Sequence, residues 1–275
     1  MENFSDRLET AVRTKSSCLL LGLDPNIKKM PEKFSHDSEG CFQFCKEIIQ
    51  ATEKYICGVK IQMAYFEVFG SKGIEAVEKL IAFSRTKNLI TIVDGKRNDI
   101  GSTAEAYAEA YLSNGPLACD ALTVNAYLGS DGILPFVKKC EENGRGIFIL
   151  ARTSNPSASE FQDSEDFCVR VSEKIEEWNR STQSEKNNFS SVGAVVGATN
   201  GKILKFFREE LPHAWILAPG VGAQGGSVQD VLAIRRNGIG VLIPVSRSVL
   251  YASSGEDYLA AASAEMIRLW EEQKE

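Results

Sequence analysis

Residues 89–103, L-I-T-I-V-D-G-K-R-N-D-I-G-S-T, join an apolar run to a charged turn. The run at 89–94 is nearly continuous in apolar residues and does not alternate, which is typical of a parallel strand buried on both faces. Three charged residues then follow closely, Asp94, Lys96 and Asp99. If the strand continues, Asp94 and Lys96 point the same way, because side chains two apart share a face. The stretch predicts a buried strand that ends in charge chemistry.

A helical pattern follows the charged turn at residues 102–112, S-T-A-E-A-Y-A-E-A-Y-L. Ser102 and Glu105 have the spacing of a capping box, so the helix is predicted to begin there. A second amphipathic helix is predicted over 163–178, and the polar segment 179–191 is predicted to be a loop. The sequence thus alternates strands with helices, as α/β proteins do.

Seven further apolar runs resemble the one at 89–94, and helical segments separate them. They lie at 17–24, 56–62, 119–125, 146–153, 192–199, 214–220 and 239–246. Eight strand–helix units in about 250 residues predict the α/β class and a (β/α)8 TIM barrel. A doubly wound open sheet is the alternative. Residues 1–275 are expected to form a single barrel domain with N-terminal and C-terminal helices.

The composition of the 275 residues is that of an ordinary soluble protein, with 43% hydrophobic and 25% charged residues. A net charge of −6 argues against a nucleic-acid partner. The charged N-terminus and the absence of a long apolar run predict no signal peptide and no membrane span. Seven cysteines without a disulfide pattern indicate a reducing, cytoplasmic location. Cys41, Cys45 and His36 are a conceivable metal site, but buried apolar thiols are the favoured interpretation.

Polar residues stand at or near the ends of most of these runs, where the active sites of TIM barrels lie. Charges near a barrel interior are costly unless they pair or bind a ligand. A structural ion-pair network explains one or two such residues, but not a whole rim of them. The residues are Asp24, Lys60, Asp94, Lys96, Asn125, Thr153, Ser154, Asn155, Ser246 and Arg247.

The stretch 218–226, A-P-G-V-G-A-Q-G-G, contains G-x-G-x-x-G. A dinucleotide fingerprint would require an acid about 20 residues later, and 240–250 has none. The favoured interpretation is the barrel phosphate site formed by the loops after strands 7 and 8, with amide groups, Gln224 and the Arg247 guanidinium as donors. A plain glycine-rich turn with a surface arginine is the alternative.

The sequence resembles the orotidine 5′-phosphate decarboxylase family, in its longer, type-2 branch. D-G-K-R-N-D-I-G-S-T matches the signature D-x-K-x-x-D-I-x-x-T, and the resemblance covers nearly the whole chain. Asn98 and Ser246 stand where relatives often have smaller residues, and neither carries charge chemistry. The other matching segments are L-G-L-D, V-K-I-Q, R-T-S-N-P-S, A-P-G-V-G-A-Q and S-R-S.

The resemblance implies a cofactor-free and metal-free decarboxylation of orotidine 5′-phosphate to UMP, the last step of de novo pyrimidine nucleotide biosynthesis. It implies that Asp94 faces the substrate carboxylate and that Lys96 protonates C6. Loss of CO₂ leaves negative charge at C6, which a fixed ammonium stabilises, and flanking carboxylates favour the charged form of that ammonium. In a homodimer, Asp99, Ile100 and Thr103 would reach the neighbour's site.

The binding roles are implied in the same way. Asp24 and Lys60 would hold the ribose hydroxyls. Ser154 and Pro219 would lie at the pyrimidine. Gln224 and Arg247 would bind the 5′-phosphate.

Three alternatives remain open. A Mg²⁺-dependent ketogulonate-phosphate decarboxylase or hexulose-phosphate synthase also has D-x-K-x-x-D, but K-I-Q at 60–62 lacks an obvious metal-binding Glu. A Schiff-base aldolase would need Lys96 as a neutral nucleophile, which flanking carboxylates disfavour. A silent nucleotide-phosphate binder would have no use for Asp94, Lys96 and Asp99 together.

Overall fold

The computed structural model describes residues 2–222 and 225–274, without the side chain of Glu165. Each of its eight strands lies within, or extends just beyond, one of the predicted apolar runs. The strands are β1 Leu19–Leu23, β2 Gly58–Gln62, β3 Ile90–Arg97, β4 Ala121–Val124, β5 Gly146–Arg152, β6 Val192–Val196, β7 Ile216–Leu217 and β8 Val241–Val245.

The strands close into a barrel in the order β1 to β8. Every strand pair with a described register is parallel, and β2 pairs with β3 from Gly58↔Ile90 to Gln62↔Asp94. The predicted (β/α)8 barrel is confirmed, and the open-sheet alternative is wrong. The continuous apolar runs are explained by this closure, because one face of each strand lines the barrel interior and the other meets helices.

Helices follow the strands and flank the barrel. They are α1 Phe4–Lys15, α2 Ser38–Thr52, α3 Ala64–Glu67, α4 Ser71–Thr86, α5 Gly101–Leu112, α6 Ser130–Asn143, α7 Glu165–Asn179, α8 Gly201–Glu210, α9 Val228–Leu232, α10 Arg247–Leu250 and α11 Tyr258–Glu272. The described part of the chain also contains short 3-10 turns at Ala126–Leu128, Pro156–Glu160 and Arg180–Thr182. No helix within the described ranges is long and apolar enough to cross a bilayer.

The chain forms two compact units, and one of them contains residues 1–10 and 96–243. Its core includes the N-terminal Phe4, whose ring meets Phe148 edge-on with centroids 6.2 Å apart. Gly146 permits this approach, since a Cβ there would lie 2.2 Å from the Phe4 ring. The Trp215 indole donates to Ser5 Oγ at 2.8 Å. The start of α1 therefore covers the amino-terminal ends of β5 and β7.

The segment 179–191 belongs to the same unit. It begins with the last residue of α7 and the 3-10 turn Arg180–Thr182, and only the remainder, 183–191, is the predicted loop. It is nevertheless tied to the N-terminus by hydrogen bonds. Asn3 Nδ2 donates to the Thr182 carbonyl at 3.0 Å, and Asn187 Nδ2 donates to the Ser5 carbonyl at 3.2 Å. These bonds explain why a polar loop packs closely against the protein.

The other unit contains residues 11–95 and 244–275. The C-terminal helix α11 is fastened to the residues before β1, because Gln273 Oε1 accepts from the Cys18 amide at 2.8 Å and Trp270 Nε1 donates to the Lys15 carbonyl at 3.3 Å. Phe44 on α2 stacks on Tyr251 with centroids 6.4 Å apart. Helix α2 is thereby packed against the segment that follows β8.

Candidate active site

Lys60 and Asp94 form a buried ion pair on neighbouring strands. Lys60 Nζ donates to Asp94 Oδ2 at 2.8 Å, and the side chains are only 7% and 10% exposed. Gln62 Nε2 donates to the same oxygen at 3.0 Å. The β2–β3 register places Gln62 beside Asp94, so one carboxylate oxygen receives two donors at the carboxyl ends of the strands.

Burial lowers the pKa of Lys60, but the carboxylates of Asp94 and Asp24 outweigh that effect, so the pKa is raised overall. An ammonium in this position stays charged at neutral pH. The structure brings Lys60 and Asp94 together and adds Gln62, from the same segment V-K-I-Q, as a third member of the cluster.

Asp24 follows β1, and its Oδ1 is buried without a hydrogen-bond partner among the described residues. The backbone around it is fixed by Tyr251, whose hydroxyl donates to the Asp24 carbonyl at 2.8 Å and accepts from the Asn26 amide at 2.7 Å. A buried carboxylate oxygen without a donor is costly unless a ligand supplies one. Asp24 is therefore suited to bind a hydroxyl group. No sequence signal identified Tyr251.

Arg247 is the first residue of α10, directly after β8, and it is exposed. The residue before it, Ser246, packs against Gly22 of β1, where a Cβ would lie 1.8 Å from Ser246 Oγ. The position of Arg247 therefore depends on a glycine of β1. An exposed guanidinium after the last strand can grip an anion such as a phosphate.

The glycine-rich loop after β7 is built from left-handed glycines. Gly220 and Gly222 have φ angles of 106° and 71°. The Gly226 amide donates to the Gly220 carbonyl at 3.0 Å, which closes the loop on itself. Pro219 precedes this loop, and its carbonyl accepts from the Ala198 amide at 2.8 Å. The predicted phosphate ligand Gln224 lies outside the described residues.

Lys96 is exposed near the end of β3, and its φ of 47° lies in the left-handed region. Strand β3 continues through Lys96 to Arg97, but the left-handed φ of Lys96 departs from the extended geometry in which side chains two apart share a face. Asp99 is half-buried, and its Oδ1 accepts from the Ile100 amide at 2.8 Å. Ile100 and Thr103 are exposed.

The predicted capping box is also wrong. Helix α5 begins at Gly101, so Ser102 already lies inside the helix. The N-cap residue is Ile100, which makes no side-chain cap. A capping box requires the serine itself at the N-cap.

Ser154 lies in the loop after β5 and packs against Gly197, where a Cβ would be 2.8 Å from Ser154 Cα. The loop is braced by Arg152, whose guanidinium makes two bonds to the Asp163 carboxylate at 3.0 and 3.2 Å. The Thr153 amide donates to Gln162 Oε1 at 2.7 Å. These braces hold the Ser154 backbone, and no sequence motif had indicated them.

Within residues 2–222 and 225–274, no group of three His, Cys, Asp or Glu side chains could hold a metal ion. Cys41 and Cys45 are buried on α2, and burial raises the pKa of Cys41 to about 11. The seven cysteines are thiols, and six of them are buried. The interpretation of Cys41 and Cys45 as buried thiols is confirmed.

Comparison with known proteins assigns the chain to a family. Residues 18–262 match the sequence profile of the orotidine 5′-phosphate decarboxylase / HUMPS family. The chain belongs to this family. The resemblance inferred from D-G-K-R-N-D-I-G-S-T is thereby confirmed, whereas membership of the type-2 branch stays a prediction.

Curated relatives within the family agree closely in length and sequence. The orotidine 5′-phosphate decarboxylase of Caldicellulosiruptor saccharolyticus is 40% identical, over 92% of this chain and 90% of its own length. That of Rhodopirellula baltica is 39% identical, over 95% of this chain and 93% of its own. A crystal structure of a putative orotidine 5′-phosphate decarboxylase from Streptomyces avermitilis superimposes with a TM-score of 0.86 at 34% identity, covering 100% of this chain and 95% of that one. The family also includes the HUMPS proteins, but these relatives all carry the decarboxylase name.

Proposed function

We propose that the protein catalyses the decarboxylation of orotidine 5′-phosphate to UMP, the last step of de novo pyrimidine nucleotide biosynthesis. Family membership and relatives of the same name over nearly their whole lengths support this function. The observation that carries it is the buried Lys60–Asp94 pair beside Gln62, at the strand ends where barrel enzymes place their chemistry. The decarboxylase motif supplies Lys96 and Asp99 on the same stretch of chain.

In the proposed reaction the bond between C6 and the carboxylate breaks, CO₂ leaves, and the electron pair stays on C6. The Lys96 ammonium stabilises this charge and then transfers one proton to C6, which gives UMP. Asp94, held by Lys60 and Gln62, places a fixed negative charge beside the substrate carboxylate. The repulsion between the two carboxylates is relieved when CO₂ leaves, so the arrangement favours the transition state over the bound substrate.

The remaining residues bind the substrate. Asp24 accepts from a ribose hydroxyl, which would supply the donor that its buried Oδ1 lacks. Lys60 supports the same sugar. Ser154 and Pro219 contact the pyrimidine, and the 5′-phosphate is bound by two residues, Gln224 and Arg247. Binding energy from the phosphate is then available at the distant reacting carbon.

We also propose a homodimer in which Asp99, Ile100 and Thr103 complete the partner's site. Exposed apolar side chains around this segment support the interface, because such groups mark association surfaces. Ile100 is 52% exposed and Tyr127 is 88% exposed. Leu128 lies near Asp99, since both flank Gly132. A two-fold axis here would bury these side chains against their copies.

The 275 residues act as a single barrel domain in this proposal, because the eight strands close in chain order. The helices α1 and α11 are its N-terminal and C-terminal additions. The seven cysteine thiols support a location in the cytoplasm, where thiols stay reduced.

Loss of the orotate absorbance on incubation with orotidine 5′-phosphate tests the function. We expect the same rate with and without EDTA, because the Lys96 ammonium supplies the positive charge that Mg²⁺ supplies in enolate-forming relatives. Activity that EDTA abolishes and Mg²⁺ restores would favour the metal-dependent sugar-phosphate enzymes. Binding without turnover would favour a silent nucleotide-phosphate binder.

A further inference from the structure

The backbone of Lys96 has a conformation that lysine rarely adopts. Five described residues other than glycine have a positive φ, and they are Ser16, Asn88, Lys96, Asn188 and Asn237. Asparagine tolerates this region because its short polar side chain bonds locally, but a long side chain gains no such compensation. Strain of this kind persists only where the surroundings enforce it.

Strand β4 supplies the first restraint. The Lys96 amide donates to Thr123 Oγ1 at 3.0 Å, and the Thr123 side chain is buried. One residue further, the Arg97 carbonyl accepts from the Asn125 amide at 3.0 Å. The peptide group before the Lys96 Cα and the peptide group after the Arg97 Cα are therefore bonded to β4 or to the residue that follows it, and the first of these bonds depends on a side-chain hydroxyl.

Helix α5 supplies the second restraint through Arg97. The guanidinium lies 5.4 Å from the Tyr111 ring centroid and 5.6 Å from the Tyr107 ring centroid. Its Nη2 also donates to Tyr111 Oη at 2.9 Å. A planar guanidinium can stack on rings and donate in its own plane at once, which an ammonium cannot do. Arg97 thus fastens the residue after Lys96 to the helix.

We propose that Thr123 and Arg97 are positioning residues that hold the Lys96 backbone left-handed and so direct its ammonium toward C6 of the substrate. This inference rests on the proposed function, in which Lys96 delivers the proton. Without the Thr123 hydroxyl, the strained φ can relax toward the extended region and turn the Lys96 side chain away. A displacement of about 1 Å at a reacting group reduces turnover by about a hundredfold.

The test compares Thr123→Val with Thr123→Ser. Valine keeps the branched shape but lacks the hydroxyl, and serine keeps the hydroxyl. We expect Thr123→Val to lower kcat by about tenfold to a hundredfold with KM within about twofold of wild type, because substrate binding does not depend on the Lys96 amide. Thr123→Ser should recover most of the lost kcat.

The matched control is Thr52→Val, which removes another buried hydroxyl, one that donates to the Ile48 carbonyl within α2 at 2.8 Å. It should leave kcat and KM unchanged. If Thr123→Val keeps wild-type kcat, or if Thr52→Val lowers kcat equally, the positioning role is overturned. If the wild-type protein itself fails to decarboxylate orotidine 5′-phosphate, the proposed function has failed instead.

If Thr123→Val does not fold, the variant Arg97→Lys tests the positioning role instead. Lysine keeps the positive charge at a half-exposed position but lacks the planar guanidinium that contacts the Tyr107 and Tyr111 rings and donates to Tyr111 Oη. We expect about a tenfold fall in kcat with little change in KM. An unchanged kcat in this variant contradicts the inference, and so does a rise in KM alone.

Discussion

Breaking the buried pair of Lys60 and Asp94 tests whether this ion pair stabilises the fold as well as shaping the site. Removing one partner of a buried ion pair costs about 3–5 kcal/mol, because the other charge is left in a poorly solvating environment. Gln62 would still donate to Asp94, and Asp24 would still attract Lys60. Because of these remaining interactions, we expect Lys60→Met and Asp94→Asn each to lower the free energy of unfolding by about 3 kcal/mol.

The assay is a double-mutant cycle on the free energy of unfolding, measured by urea denaturation. If the two side chains act mainly on each other, the double variant should lose about 3–4 kcal/mol and not the additive value of about 6 kcal/mol, because the second change removes a charge that the first left unpaired. Losses that add to within about 0.5 kcal/mol would refute the reasoning.

The pH dependence provides an independent check. The folded pKa of Lys60 is raised, so its contribution to stability is fully present below the unfolded value of about 10.4 and is lost as the pH rises through the folded pKa. In Asp94→Asn, the carboxylate of Asp94 no longer offsets the effect of burial on the Lys60 ammonium, so the folded pKa of Lys60 is lower than in wild type. The decline in unfolding free energy above about pH 10.4 should therefore be smaller in Asp94→Asn than in wild type. Equal slopes would contradict the assigned coupling.

Three further predictions concern activity. In steady-state kinetics, Lys96→Ala should lower kcat by about a thousandfold, whereas Arg247→Ala should mainly raise KM, by about tenfold to a hundredfold. Near-native turnover by Lys96→Ala would disprove the proposed role of Lys96. Co-expression of Asp94→Asn and Asp99→Asn chains should restore roughly a quarter of the active sites, because random association makes half of the dimers heterodimers and each heterodimer has one intact site. No recovery of activity would exclude a shared site. Gly22→Ala should raise KM about tenfold, because its Cβ would displace the serine that precedes Arg247, and an unchanged KM would show that the two strands tolerate the methyl group.

The sequence by itself determined the fold class and most of the strand positions. Continuous apolar runs identify strands buried on both faces, and eight of them separated by helices leave few arrangements other than a barrel. It also located Asp24, Lys60, Asp94 and Arg247 at or near strand ends, because parallel barrels bring all their carboxyl ends to one rim. The charged motif at 94–103 was sufficient to indicate the family.

Only the tertiary structure decided how these residues are held. The β2–β3 register makes Gln62 a second donor to Asp94, and Tyr251 reaches the Asp24 carbonyl across more than two hundred residues of sequence. The left-handed backbone of Lys96 depends on Thr123 of the next strand. Local patterns report periodicity and turn preference, but these contacts arise from strand register and loop packing between distant segments. Such contacts exist only once the barrel has closed.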